Sequence, residues 1–184
     1  MIRFVIAGIA ASVISGAAMA QSMVVIGNTP ASQCYENALW QRAYSSALQP
    51  CDLALASDEL SARDRHRTLV NRAVIFLHLE RPEEALADLD LAHDSGFVAP
   101  EIDMNRSAAL IRLERYEEAV EAATLALEGG LRDEEKAYFN RAVAYERMGR
   151  IAQAYDDFRA ATARAPDWDE AREQLERFRV SNGI

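Results

Sequence analysis

Two hydrophobic patterns divide the chain. From Phe4 to Ile14 nearly every residue is apolar. Beyond residue 28 the apolar positions return every three or four residues, the spacing of an amphipathic helix. The first pattern follows Arg3 and ends on Ala18-Met19-Ala20 before Gln21, which gives a positive start, an apolar middle and a small-x-small cleavage site. Residues 1–20 therefore predict a secretory signal peptide. An uncleaved membrane anchor is the alternative, but spanning a bilayer takes roughly 20 strongly apolar residues, and this run is short and rich in Ala and Gly. No Cys follows it at the cleavage point, which argues against a bacterial lipoprotein. Nothing in the rest of the sequence predicts membrane insertion once the signal is removed.

The helical pattern repeats. Asn71-Arg72-Ala73, Asn105-Arg106-Ser107 and Asn140-Arg141-Ala142 begin 34 and then 35 residues apart. Each is followed by a matching segment: Arg81-Pro82-Glu83-Glu84-Ala85-Leu86, Arg115-Tyr116-Glu117-Glu118-Ala119-Val120 and Arg150-Ile151-Ala152-Gln153-Ala154-Tyr155. An ordinary helical bundle has helical periodicity but no fixed register of this length. The unit resembles the tetratricopeptide repeat (TPR), a helix-turn-helix whose small, aromatic and proline positions let neighbouring hairpins stack. The third unit carries Tyr138, Ala142, Tyr145, Gly149, Ala154, Phe158, Ala161 and Pro166 at the signature positions, with shifts around the usual Leu and Gly. The first two lack the closing proline; Gly96 and Gly130 there suit helix C-terminal turns.

The resemblance implies an all-α fold, an α-solenoid of about three and a half TPR hairpins plus a C-terminal capping helix. The boundaries expected are a signal peptide over 1–20, a degenerate repeat over 28–65, repeats over 66–99, 100–134 and 135–168, and a capping helix over 169–180, the whole TPR domain covering 21–180. In the degenerate repeat Tyr44-Ser45-Ser46-Ala47 takes the place of Tyr116-Glu117-Glu118-Ala119, so a hairpin turn falls near 41–44. Cys34 and Cys51 are then almost equidistant from that turn, one on each antiparallel helix. In an exported chain this predicts a disulfide, with two buried free thiols as the alternative.

Composition narrows the function. Without Arg3 the mature chain has 19 basic against 29 acidic residues, an excess that repels nucleic acid and anionic membrane surfaces. His66, His78 and His93 show no metal-ligand spacing, and the acidic pairs fall at helix starts and on outer faces. No nucleophile motif, phosphate loop or dinucleotide fingerprint is present, so no catalytic residue, metal or cofactor is expected and the chain is not expected to be an enzyme.

In TPR proteins the first helices of successive hairpins line a concave groove. Placed by the repeat register, the groove residues here are Val70, Asn71, Val74 and Leu77; Met104, Asn105, Ile111 and Arg112; and Phe139, Asn140, Val143 and Arg147. This predicts an apolar strip edged by three amides and two arginines, suited to the backbone and side chains of an extended peptide. The alternative for the asparagines is a hydrogen bond to the adjacent repeat alone. The carboxylate clamp of TPR co-chaperones needs basic residues where Val70 and Val74 stand, so that role does not carry over. Residues 21–33, or a second copy of the chain, are rival occupants. The expected role is a non-catalytic binding module for a protein or peptide, exported to the periplasm of a Gram-negative bacterium or secreted, in envelope assembly or maintenance. The alternative is a structural or regulatory subunit acting through its outer face or by self-association.

Overall fold

The computed structural model describes residues 2–5, 19–25 and 27–182. Its helices are α1 (Pro30–Leu39), α2 (Gln49–Leu55, entered through a 3₁₀ turn over Ser45–Leu48), α3 (Ala62–His78), α4 (Pro82–Asp94), α5 (Pro100–Arg112), α6 (Tyr116–Glu128), α7 (Glu134–Arg147), α8 (Ile151–Arg164) and α9 (Asp169–Glu176). Consecutive helices pair as four hairpins, each stacked on the next, and α9 packs on α8. The fold is the helical solenoid that the repeat register predicts. To it is added one short antiparallel pair, β1 (Ile2–Val5) with β2 (Arg179–Asn182), in which Ile2 faces Asn182 and Val5 faces Arg179.

Local chemistry sets the helix ends. Thr29 and Ser32 form a reciprocal capping box at the start of α1, with Pro30 in the first turn. Ser61 accepts the Asp64 amide and starts α3 at Ala62, ahead of the expected boundary at 66. Between the two helices of each full hairpin one residue turns left-handed: Glu80, Glu114 and Gly149, at φ 55°, 59° and 73°. The next amide then reaches back to close the helix end, as in Arg115 N–H to Leu110 O at 2.9 Å. Only the last of these, between α7 and α8, uses the residue that adopts this conformation without steric penalty. The terminal helix stops at Glu176, short of the expected 180, because Phe178 turns inward against Phe158, with ring centroids 5.7 Å apart.

The repeated tripeptide has three separate jobs, since successive helix residues point about 100° apart. Its third residue, Ala73, Ser107 or Ala142, is fully buried, as is Ala85, Ala119 or Ala154 on the second helix of the same hairpin. Ser107 satisfies its hydroxyl on Met104 O at 2.6 Å. The arginine ties helices together. Arg72 forks onto Asp88 at 2.7 and 2.8 Å, Arg141 onto Asp157 at 2.7 and 2.9 Å, and Arg106 reaches back to Asp90 at 2.9 Å. The asparagine faces the concave side.

Cys34 on α1 and Cys51 on α2 form a disulfide. Closing a loop of sequence separation 17 stabilises the first hairpin by about 3 kcal/mol in the chain-entropy model. Of the signal peptide expected over 1–20, residue 1 and residues 6–18 lie outside the described residues, while 2–5 form β1. Among the described residues no helix is long and apolar enough to cross a membrane.

Candidate functional site

Asn71 on α3, Asn105 on α5 and Asn140 on α7 present their amides to the same concave face, and the chain's own residues 19–23 lie across them in an irregular, unlooped run. Each amide grips one peptide residue at both backbone groups. Asn140 Oδ1 accepts from Met19 N–H at 2.9 Å, and its Nδ2 donates to Met19 O at 3.2 Å. Asn105 does the same for Gln21 at 2.6 and 2.8 Å. Asn71 does so for Met23 at 2.5 and 2.7 Å. The opposite amide orientation would set donor against donor and acceptor against acceptor at all three, so the bonding assigns it.

The rungs take every second residue. One hairpin of the solenoid therefore advances the groove by two residues of extended chain, about 6.6–6.8 Å. The segment runs from the third full hairpin towards the first. Beyond Met23, Val24 is exposed, and Val25 is buried among Ala31 and Ala54 of the first hairpin. Met19, Ala20 and Met23 pack against the core. At the central rung, Gln21 Nε2 donates to Asp133 Oδ2 at 3.0 Å, and Lys136 Nζ donates to the same oxygen at 3.0 Å.

The rival readings of the asparagines are both represented. Asn140 Nδ2 also donates to Ser107 Oγ at 3.0 Å and approaches Met104 O at 3.4 Å, which anchors it to the adjacent hairpin. Among the described residues the Asn71 and Asn105 amides bond only the segment.

The apolar strip is placed differently from the sequence expectation. Phe139 points away from the groove, between α8 of its own hairpin and the start of α9, its ring 5.5 Å from Phe158 and 4.7 Å from Trp168, and is fully buried. Val70, Leu77 and Met104 are likewise fully buried, Met104 in a cluster with Ala126, Leu131 and Ala137. The reason is angular: a residue one before or six after the asparagine lies about 100–120° around the helix from it. Those four belong to the core rather than to the groove surface. Ile111, at the same offset from Asn105 as Leu77 from Asn71, goes with them, whereas Val74 and Val143, three residues after the asparagine, lie nearer the asparagine face and are also buried with the segment in place. Arg112 bridges to Glu80 at 2.8 Å, and Arg147, at the matching place on α7, also has a partner. His78 stands beside Arg112 and Glu80; burial, reinforced by Arg112 and opposed by Glu80, holds its imidazole below the usual pKa.

Sequence reasoning had named residues 21–33 as a rival occupant, and the stretch at the asparagines is 19–23. Gln21 and Met23 fall inside the expected stretch, while Met19 and Asp133 lie outside it. The available signal was the short tether: few residues separate Met23 from α1, so this stretch cannot stray far from the groove. Among the described residues no group of three or more His, Cys, Asp or Glu is placed to hold a metal.

Comparison with known proteins places the repeat. The tetratricopeptide repeat family model matches residues 135–168. No curated protein matches the chain significantly. Among solved structures, MamA superposes with a TM-score of 0.63 at 14% identity, covering 83% of this chain and 94% of that one. The first TPR domain of the human RPAP3 protein gives 0.57 at 22% identity, over 60% of this chain and 87% of that one. The second TPR domain of human RPAP3, solved in complex with the HSP70 peptide SGPTIEEVD, gives 0.54 at 22% identity, over 59% and 89%. At these identities the likeness concerns the fold.

Proposed function

We propose that this chain is a tetratricopeptide-repeat protein, from the repeat match over residues 135–168 and the shared fold, and that it is a non-catalytic binding module whose concave groove grips an extended peptide by its backbone. TPR domains are generally interaction modules, and the second RPAP3 domain is solved with a peptide bound. The observation that carries the proposal is the two-point grip of Asn71, Asn105 and Asn140 on alternate residues of a chain segment. Such a grip ignores side chains, so a foreign strand fits it as well as residues 19–23 do.

Magnitudes indicate that the segment can be displaced. Six net hydrogen bonds at about 0.5–1.5 kcal/mol contribute about 3–9 kcal/mol. Ordering the backbone of residues 19–23 costs about 5–10 kcal/mol. The rungs alone roughly break even, and burial of Met19, Ala20 and Met23 decides the balance. We further propose export to an oxidising compartment, periplasmic in a Gram-negative cell, with a role in envelope assembly or maintenance; the Cys34–Cys51 disulfide is compatible with such a location. Cleavage after Ala20 would remove Met19 and leave Asn140 open to the end of a partner strand.

The test is titration of a labelled peptide, Ala-Met-Ala-Gln-Ser-Met-Val-Val, into the full chain and into an Asn71→Ala/Asn105→Ala variant, followed by fluorescence anisotropy. Saturable binding to the natural chain that the variant loses supports groove binding. Equal binding to both would refute it.

A further inference from the structure

The central position of the groove has a chemical preference that its own segment does not meet. Gln21 lies between the outer two rungs, with its backbone held by Asn105 and its side chain directed at Asp133. The amide nitrogen is satisfied there, at 3.0 Å from Asp133 Oδ2. The amide oxygen is not: Gln21 Oε1 is buried without a hydrogen-bond partner. Turning the amide over would direct that oxygen at a carboxylate, which is worse. A glutamine in this place therefore gains one bond and strands one acceptor.

We infer that this subsite is built for a donor-only cationic side chain, and that the ligands of the groove are extended peptides of the pattern apolar-x-Lys-x-apolar, running from the third full hairpin to the first. The inference rests on the groove reading above and names its ligand class. A lysine donates to Asp133 and carries no acceptor to strand. It is one methylene longer than glutamine, so its ammonium can reach the side of the carboxylate that Lys136 leaves open; an ionised carboxylate offers about four lone-pair sites, and both existing contacts fall on Oδ2. The flanking preference comes from Met19 and Met23, whose side chains pack against the core. The formal charge of the whole chain, −9, favours the approach of a cationic peptide. Residues 19–23 are then a placeholder that a better-matched strand displaces.

The subsite is measured in the full chain, by the exchange rate of the Met23 backbone N–H, which Asn71 accepts and which therefore reports docking. Gln21→Lys and Gln21→Glu are each compared with the natural chain, alone and combined with Asp133→Asn. Asp133 precedes α7 but makes no side-chain cap bond, so its replacement leaves the helix start intact. Gln21→Lys is expected to slow exchange about tenfold and Gln21→Glu to accelerate it about tenfold, with both differences falling below about twofold in Asp133→Asn and shrinking at high salt. Exchange in Gln21→Lys as fast as in the natural chain overturns the inference. So does a Lys-over-Glu ordering that Asp133→Asn leaves undiminished. Failure of the groove reading itself looks different: Met23 exchanges at the rate of an unfolded chain before any substitution is made, and this inference then falls with it.

Discussion

Replacing Asn105 with alanine isolates the backbone grip from the rest of the fold. Asn105 is fully buried, and among the described residues its amide bonds only Gln21, at 2.6 and 2.8 Å. The substitution removes both bonds from the docked state, while the undocked segment keeps its bonds to water. At about 0.5–1.5 kcal/mol net for each bond the loss is about 2 kcal/mol. Since 1.4 kcal/mol is a factor of ten, the docked population relative to the undocked one falls roughly 30-fold. Hydrogen–deuterium exchange read by mass spectrometry over residues 19–25 measures this directly: the segment should exchange roughly 30-fold faster, while the interiors of α5 and α7 keep their protection. Asn140→Ala should behave differently, because Asn140 also holds Ser107 Oγ at 3.0 Å and its loss loosens the α5–α7 contact as well. Unchanged exchange over residues 19–25 in Asn105→Ala would show that the two bonds do not hold the segment, and would refute the reasoning.

Three further outcomes follow from the fold. Reducing Cys34–Cys51, or replacing both with Ser, should destabilise the first hairpin by about 3 kcal/mol, seen as loss of amide protection in α1 and α2 ahead of α7 and α8; equal protection throughout would contradict it. Glu114→Gly should stabilise the chain by about 0.5–1 kcal/mol in denaturant melts, because Glu114 holds φ 59° and its side chain, unlike that of Glu80, makes no bridge to Arg112. The folded protein binds a proton at His78 less readily than the unfolded chain does, so the neutral imidazole's contribution is complete above the ordinary pKa of 6.5 and is lost as pH falls below it. His78→Gln should therefore flatten the decline of stability between about pH 7 and pH 5, read from melts across that window.

What could be read along the chain was whatever the repeat enforces. Ala73 and Ala142 recur because two helices cross there, so their spacing alone announced the hairpins, and the turn near Tyr44 put Cys34 and Cys51 level with each other. The asparagines were legible for the same reason, since Asn71, Asn105 and Asn140 share one face. Phe139 was not. Its neighbour in sequence faces the groove, and a 100° step carries the ring between α7, α8 and α9 onto Phe158 and Trp168. An apolar residue next to a groove asparagine looks the same in sequence whichever way it turns. The contact of Gln21 with Asp133 escaped for another reason: they are 112 residues apart and meet only because the solenoid brings its third full hairpin beside the start of the chain. The end of α9 was set by where Phe178 packs, and no helix-stop residue marks it.

The account depends most on residues 19–23 lying across the three asparagines. The most direct measurement is solution NMR of the oxidised full chain, following the side-chain amide protons of Asn71 and Asn105. Nuclear Overhauser contacts from Asn71 to Met23 and from Asn105 to Gln21, with slowed exchange of both peptide N–H groups, are the result predicted. Sharp, random-coil resonances for residues 19–25, with no contact to either asparagine, would contradict it.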